Sequence, residues 1–223
     1  MAQQLSRADL NRLVRMLVNA GAVRIYTEPP VGDKRQPNEF FALKSGRKSP
    51  YYVNAREVID DGDNLHVIAE MLCAVAPHCR RFIGPPYAAI PLAVACAMKR
   101  AETSMDPIAF LYWRKEEKAH GLDVKIEGRY EPGDTVVIVE DVATTGGSTL
   151  EAVQLAREAG MVVTDAVVIV DREEGATAAL AAVGVTLHSL LPARTLTDLM
   201  VESGKWTVPE ADAVRDYLES AAA

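Results

Sequence analysis

Apolar residues return along this chain in two rhythms, and the rhythms divide it. Over residues 6–20, Leu10, Leu13, Val14 and Leu17 recur at three- and four-residue intervals, which predicts an amphipathic helix. Ser6 with Asp9 reads as a capping box at its start, and Gly21 ends it. Residues 23–26 predict a short strand and 28–38 (EPPVGDKRQPN) a polar, proline-bearing loop. The run FFALKSGRKSPYYVN that follows predicts a hairpin, two β-rich stretches around a turn at Ser45-Gly46. A helix over 63–76 stops at Pro77.

Beyond residue 80 the pattern alternates. Strands are predicted over 81–84, 108–113, 135–139, 166–170 and 185–190, with helices over 90–100, 148–159 and 176–183 and a polar segment over 114–128. Two short helices, 195–202 and 209–222, close the chain. TVVIV at 135–139 and AVVIV at 166–170 are unbroken apolar runs, the mark of parallel strands covered by helices on both faces. The expected fold is α/β: a doubly wound, mainly parallel sheet with a small N-terminal hood. Residues 1–60 would form the hood, 61–195 the core, and 196–223 helices packed on it.

Composition narrows the partners. Of 223 residues 49% are hydrophobic, as a globular core requires. Lys and Arg total 24 against 31 Asp and Glu, a net charge of −7, which argues against a nucleic-acid backbone as partner. No apolar run approaches the roughly 18–20 residues of a membrane span, and the N-terminal segment lacks the apolar centre of a signal peptide. Cys73, Cys79 and Cys96 contain no C-x-x-C pair and suit reduced thiols in a cytoplasmic protein. Four scattered histidines show no metal-ligand spacing, so no protein-held metal is expected.

The chemistry concentrates where the apolar run Val136-Val137-Ile138-Val139 delivers Glu140 and Asp141 to the carboxyl end of a strand. Val142, Ala143, Thr144, Thr145, Gly146, Gly147, Ser148 and Thr149 then lead into a helix. Small residues let backbone N–H groups turn towards an anion, and the helix N-terminus adds partial positive charge, so this loop should cradle a phosphate monoester. Two acids beside it would repel a second phosphate but can accept from the vicinal hydroxyls of a ribose. The plainer alternative is a surface acidic pair that caps the helix.

This segment resembles the phosphoribosyl pyrophosphate (PRPP) motif of type I phosphoribosyltransferases. Two further segments are similar to orotate phosphoribosyltransferases in particular. They are the hairpin Phe40-Phe41-Ala42-Leu43-Lys44-Ser45-Gly46-Arg47-Lys48-Ser49-Pro50-Tyr51-Tyr52, and Arg114-Lys115-Glu116-Glu117-Lys118-Ala119-His120-Gly121, which looks like that family's mobile catalytic loop. The resemblance spans roughly residues 40–175. It implies a pentosyltransferase of de novo pyrimidine (UMP) synthesis that moves the 5-phosphoribosyl group of PRPP to orotate, releasing orotidine 5′-monophosphate and pyrophosphate. The same motif would serve a phosphoribosyltransferase for another base, or a PRPP-sensing regulator of nucleic acid with this fold.

By the resemblance, Lys44, Lys118, His120 and Asp141 are catalytic. Arg114, Lys115, Tyr87 and residues 140–148 bind PRPP, and Mg2+ arrives with PRPP without a direct protein ligand. Lys44, Phe40, Phe41, Thr144 and Arg172 would receive orotate. Arg172 suits a carboxylate because its planar guanidinium can donate to both oxygens, though an ion pair at a helix start is the alternative. Phe40 and Phe41 either wall the base or pack in the core. Loop 114–128 would reach the neighbouring active site of a homodimer, with Arg114, Lys118 and His120 crossing over and Lys115 serving its own site. Without the resemblance, this loop reads equally as a solvated charge run balanced by Glu116 and Glu117. Ala88 stands where some family members carry a PRPP-binding lysine.

Overall fold

A computed structural model describes residues 4–26, 41–42, 47–113 and 126–222. Helix α1 (Arg7–Asn19) opens with the predicted capping box, in which Ser6 Oγ accepts from the Asp9 N–H at 3.2 Å and Asp9 accepts from the Ser6 N–H at 3.0 Å. Leu13, Val14 and Leu17 form its buried stripe. Strands β1 (Val23–Ile25), β2 (Phe41–Ala42), β3 (Lys48–Ser49) and β4 (Tyr51–Val53) follow.

Strands β2 and β3 make the expected hairpin, with Phe41 opposite Ser49. Its second arm is shorter than the pattern predicts. Tyr51–Val53 leaves it and pairs antiparallel with β1, placing Tyr51 opposite Ile25. Pro50 explains the change of partner: it has no N–H to donate to a ladder, and its carbonyl accepts instead from the Tyr26 N–H at 2.7 Å. The single turn α2 (Arg56–Ile59), too short to show a period, precedes α3 (Gly62–Val75), whose N-cap Asp61 accepts from the Asn64 N–H at 2.9 Å.

The alternating part comprises β5 (Arg81–Ile83), α4 (Ala89–Ala101), β6 (Ala109–Trp113), β7 (Ile126–Glu127), β8 (Thr135–Ala143), α5 (Gly147–Glu158), β9 (Val162–Asp171), α6 (Ala176–Ala181) and β10 (Thr186–Pro192). Helices α7 (Ala193–Glu202) and α8 (Val208–Ala222) end the fold. The sheet order is β10-β9-β8-β5-β6-β7, with every pairing parallel except the last. Strand β7 corrects the reading of 114–128 as a polar segment throughout: Ile126 is buried and lies antiparallel to Trp113 at the sheet edge. Two residues are too few for any periodicity to reveal them.

Neighbouring residues of the central strands feed opposite cores. Phe82, Val137, Val139, Val167 and Ile169 join Leu13, Tyr51, Leu72, Leu92, Leu196 and Trp206 in one buried cluster. Ile83, Val136, Ile138 and Ala166 join Ala152, Val153 and Leu180 in the other. Burying each Val, Leu or Ile side chain contributes about 1.5–3 kcal/mol, so strands covered on both sides are the rigid frame of the molecule. After β5 the chain adds β6 on one side and later β8 on the other. The carboxyl ends of β5 and β8 therefore flank a topological switch point, where crossover connections diverge and leave a crevice.

Candidate active site

A cavity of about 580 Å³ occupies that crevice. Its walls are the end of β8 and the start of α5 (residues 140–149), the Pro85–Ala88 turn after β5, and Tyr52, Asn54, Arg56, Trp113 and Arg172 from surrounding elements. The Pro86–Tyr87 peptide in that turn is cis. Gly84 lets the turn lie against α4, since a Cβ there would stand 2.4 Å from the Ala89 carbonyl oxygen.

The Thr/Gly loop has the shape its composition predicts. Gly146 caps α5 with φ +81°, a left-handed conformation open to glycine at little cost. At Gly147 a Cβ would meet no protein atom within 4 Å, and the residue lies on the cavity wall. The N–H groups of the first turn of α5 have no acceptor within the helix. They and the helix dipole make this end of the cavity favourable for an anion.

The two acids differ sharply. Strand β8 runs through both of them to Ala143, further than the apolar run alone predicts. Glu140 is only 6% exposed; its Oε2 accepts from the Ser148 hydroxyl at 2.7 Å and its Oε1 from the Asp141 N–H at 3.2 Å. Burial, then the adjacent Asp141 charge, push the Glu140 carboxyl up to about 8. Asp141 is half-buried, and its Oδ1 accepts from the Val142 N–H at 2.8 Å. The expected pair of acids is thus one buried carboxyl with its pKa raised and one more accessible acid. Ser148, expected on the phosphate, spends its single donor on Glu140.

Arg172 continues β9 beside the loop, its N–H donating to the Ala143 carbonyl at 2.9 Å. It lines the cavity and is also in an ion pair with Glu174. Thr144 and Tyr87 are on the cavity wall, with Tyr87 66% exposed. Phe41 stacks on Tyr52, ring centroids 5.6 Å apart, and Tyr52 supplies the wall. Phe40, Lys44, Arg114, Lys115, Lys118 and His120 lie outside the described residues.

Sequence reasoning missed Tyr52, Asn54, Arg56 and Trp113 as lining residues. Trp113 was within reach, because it ends β6 on the same edge as the acidic pair. Arg56 follows the hairpin without any motif of its own. Among the described residues no group of three or more His, Cys, Asp or Glu could hold a metal, and no helix is long and apolar enough to cross a membrane.

A crevice at this switch point that joins an acidic pair to a Thr/Gly helix start suits a phosphorylated sugar by its chemistry, and the Phosphoribosyl transferase domain family matches residues 80–186. The class is phosphoribosyltransferase. An orotate phosphoribosyltransferase of Methanothermobacter thermautotrophicus is 42% identical over 151 residues, covering 68% of this chain and 81% of the relative. Uridine 5'-monophosphate synthase of Bos taurus is 36% identical over 184 residues; the match takes in 80% of this chain but spans only 37% of that longer protein. The crystal structure of orotate phosphoribosyltransferase from Aeropyrum pernix superposes with a TM-score of 0.67 at 29% identity, covering 87% of this chain and 99% of that one. The chain belongs to the orotate phosphoribosyltransferase family, which makes it a pentosyltransferase.

Proposed function

We propose that this chain displaces pyrophosphate from the anomeric carbon of PRPP with a ring nitrogen of orotate, giving orotidine 5′-monophosphate for UMP synthesis. The observation that supports this most directly is one cavity joining an anion cradle at the α5 N-terminus, the accessible Asp141 and the guanidinium of Arg172. As the C–O bond breaks, the ribose gains oxocarbenium character and the pyrophosphate gains charge. The protein's work is orientation, charge stabilisation and exclusion of water that would otherwise capture the sugar.

In this reading residues 142–147 and the backbone N–H of Ser148 grip the 5-phosphate, and Asp141 accepts from the ribose diol with Glu140 and the Ser148 hydroxyl beneath it. Thr144 and Arg172 receive the base, and Tyr87 flanks the pyrophosphate. Lys44, Arg114, Lys115, Lys118 and His120 supply cations, the last four from the loop that closes over the site of a homodimer. Arg56 on the wall provides positive charge where Ala88 offers none. The donor set suits Mg2+ carried on PRPP: hard carboxylate oxygens line the cavity, and this ion keeps waters in its shell. When bound it would neutralise pyrophosphate charge. The three thiols fit a cytoplasmic setting.

The test is a spectrophotometric assay with PRPP, Mg2+ and a panel of free bases. Loss of orotate absorbance that requires both PRPP and Mg2+ supports the reading. Turnover with a purine or with uracil in place of orotate overturns the choice of base. Lys118→Ala should abolish most turnover, and mixing it with Asp141→Asn under subunit exchange should restore part of it through hybrid dimers. Recovery of nothing refutes the shared site.

A further inference from the structure

Around Arg172 lies a buried polar network that none of the cavity roles explains. The guanidinium has five N–H donors. Nε donates to Glu174 Oε1 at 2.7 Å, and one Nη2 hydrogen goes to Ser49 Oγ at 3.0 Å. Its carbon lies 4.3 Å from the ring centroid of Tyr51. Two bonds and a ring contact fix the plane of a rigid, planar group, and among the described residues three of the five donors remain. Both side chains of the Arg172–Glu174 pair are almost wholly inaccessible, 3% and 1% exposed.

Glu174 is held at both ends. Its second oxygen, Oε2, accepts from the Tyr217 hydroxyl of α8 at 2.9 Å. Tyr217 meets Tyr51 edge-on, centroids 6.3 Å apart, and carries the Arg47 guanidinium over its ring at 5.0 Å. Three segments distant in sequence, the 47–51 arm, the turn after β9 and the C-terminal helix, therefore converge on one guanidinium.

We infer that Glu174 and Tyr217 are positioning residues that aim the remaining donors of Arg172 at the carboxylate of an anionic base. This rests on the proposed role of Arg172 as the base-binding residue. The physical reason is the division of Glu174 between two donors. With Tyr217 occupying Oε2, the carboxylate offers Arg172 a single oxygen. Without that hydroxyl, Oε2 is left with no donor, and a buried carboxylate in that state turns to the nearest one available, a second N–H of Arg172. The guanidinium then faces Glu174 side-on and withdraws a donor from the base. Because Glu174 also neutralises most of the Arg172 charge, recognition depends on direction, which makes the loss of aim consequential.

The experiment compares steady-state kinetics of the full chain with Tyr217→Phe, Glu174→Ala, Glu174→Gln and Arg172→Lys. Tyr217→Phe removes one hydroxyl from a partly exposed ring and is the variant least able to disturb folding. It should raise KM for orotate about 3- to 10-fold, the worth of one displaced hydrogen bond, with KM for PRPP unchanged. Glu174→Ala should do the same more strongly, while Glu174→Gln, which can still accept from Arg172 and donate to the Tyr217 oxygen, should recover most of the loss. Equal rises in both KM values, or an unchanged orotate KM in Tyr217→Phe, overturn the inference. Arg172→Lys separates the two levels. If it leaves the orotate KM unchanged, the base-binding role of Arg172 fails and the inference with it. If it raises that KM while Tyr217→Phe does not, only the positioning role fails.

Discussion

Replacing Glu140 by Gln should stabilise the ligand-free protein, and by an amount that depends on pH. An unfolded Glu140 titrates near 4.5, whereas in the fold burial and Asp141 push it up to about 8. Below pH 4.5 both states hold the proton and the mismatch contributes nothing. As pH rises the unfolded chain releases its proton while the fold keeps it, so stability falls progressively and the loss levels off above about pH 8. Each pKa unit corresponds to about 1.4 kcal/mol, which makes the penalty on the order of 3 kcal/mol at pH 7. Glutamine cannot ionise and can still accept from the Ser148 hydroxyl. Urea unfolding of both proteins at intervals between pH 4.5 and 8.5 measures the difference: near zero at the acid end, on the order of 3 kcal/mol by pH 7. A difference that stays constant across this range would refute the argument, because a packing effect has no reason to track proton release. Ser148→Ala is the companion variant. Its hydroxyl favours the ionised form of Glu140, so removing it should leave the downward slope in place.

Other substitutions probe the cradle. Gly146→Ala places a side chain at φ +81° with its Cβ 3.3 Å from Ala176 Cα, and should cost about 1–2 kcal/mol in denaturant unfolding as well as raising KM for PRPP. Gly147→Ala meets no protein atom within 4 Å; it should leave unfolding unchanged or slightly improved, yet raise KM for PRPP because its methyl enters the cavity. Parallel effects of the two glycine variants on stability would contradict this assignment of space. Arg56→Ala should weaken PRPP about 10- to 100-fold, the worth of one hydrogen bond to a charged group, without changing KM for orotate. Retained PRPP affinity would return the missing cation to another residue.

Much of the frame was legible because it follows local rules. Ser6 and Asp9 close a helix start through bonds three residues apart, and TVVIV and AVVIV can be stable only where both faces are covered. The acidic pair and the Thr/Gly loop were legible for the same reason: strand end, turn and helix start are contiguous, so spacing alone places their groups together. Legibility failed wherever contact joined distant residues. Nothing near Tyr51 announces β1 as its partner, nor does any motif bring Arg56 or Trp113 to the cavity wall.

By itself the sequence determined the parallel sheet, the capped start of α1 and the Thr/Gly bend into α5, since each is a consequence of neighbours along the chain. Tertiary structure decided the raised pKa of Glu140 and the surroundings of Arg172. Both depend on dielectric and on partners tens or hundreds of residues away: Ser49 lies 123 positions from Arg172, and Tyr217 lies 43 from Glu174. A charge's energy is set by what encloses it, and only the folded chain encloses anything.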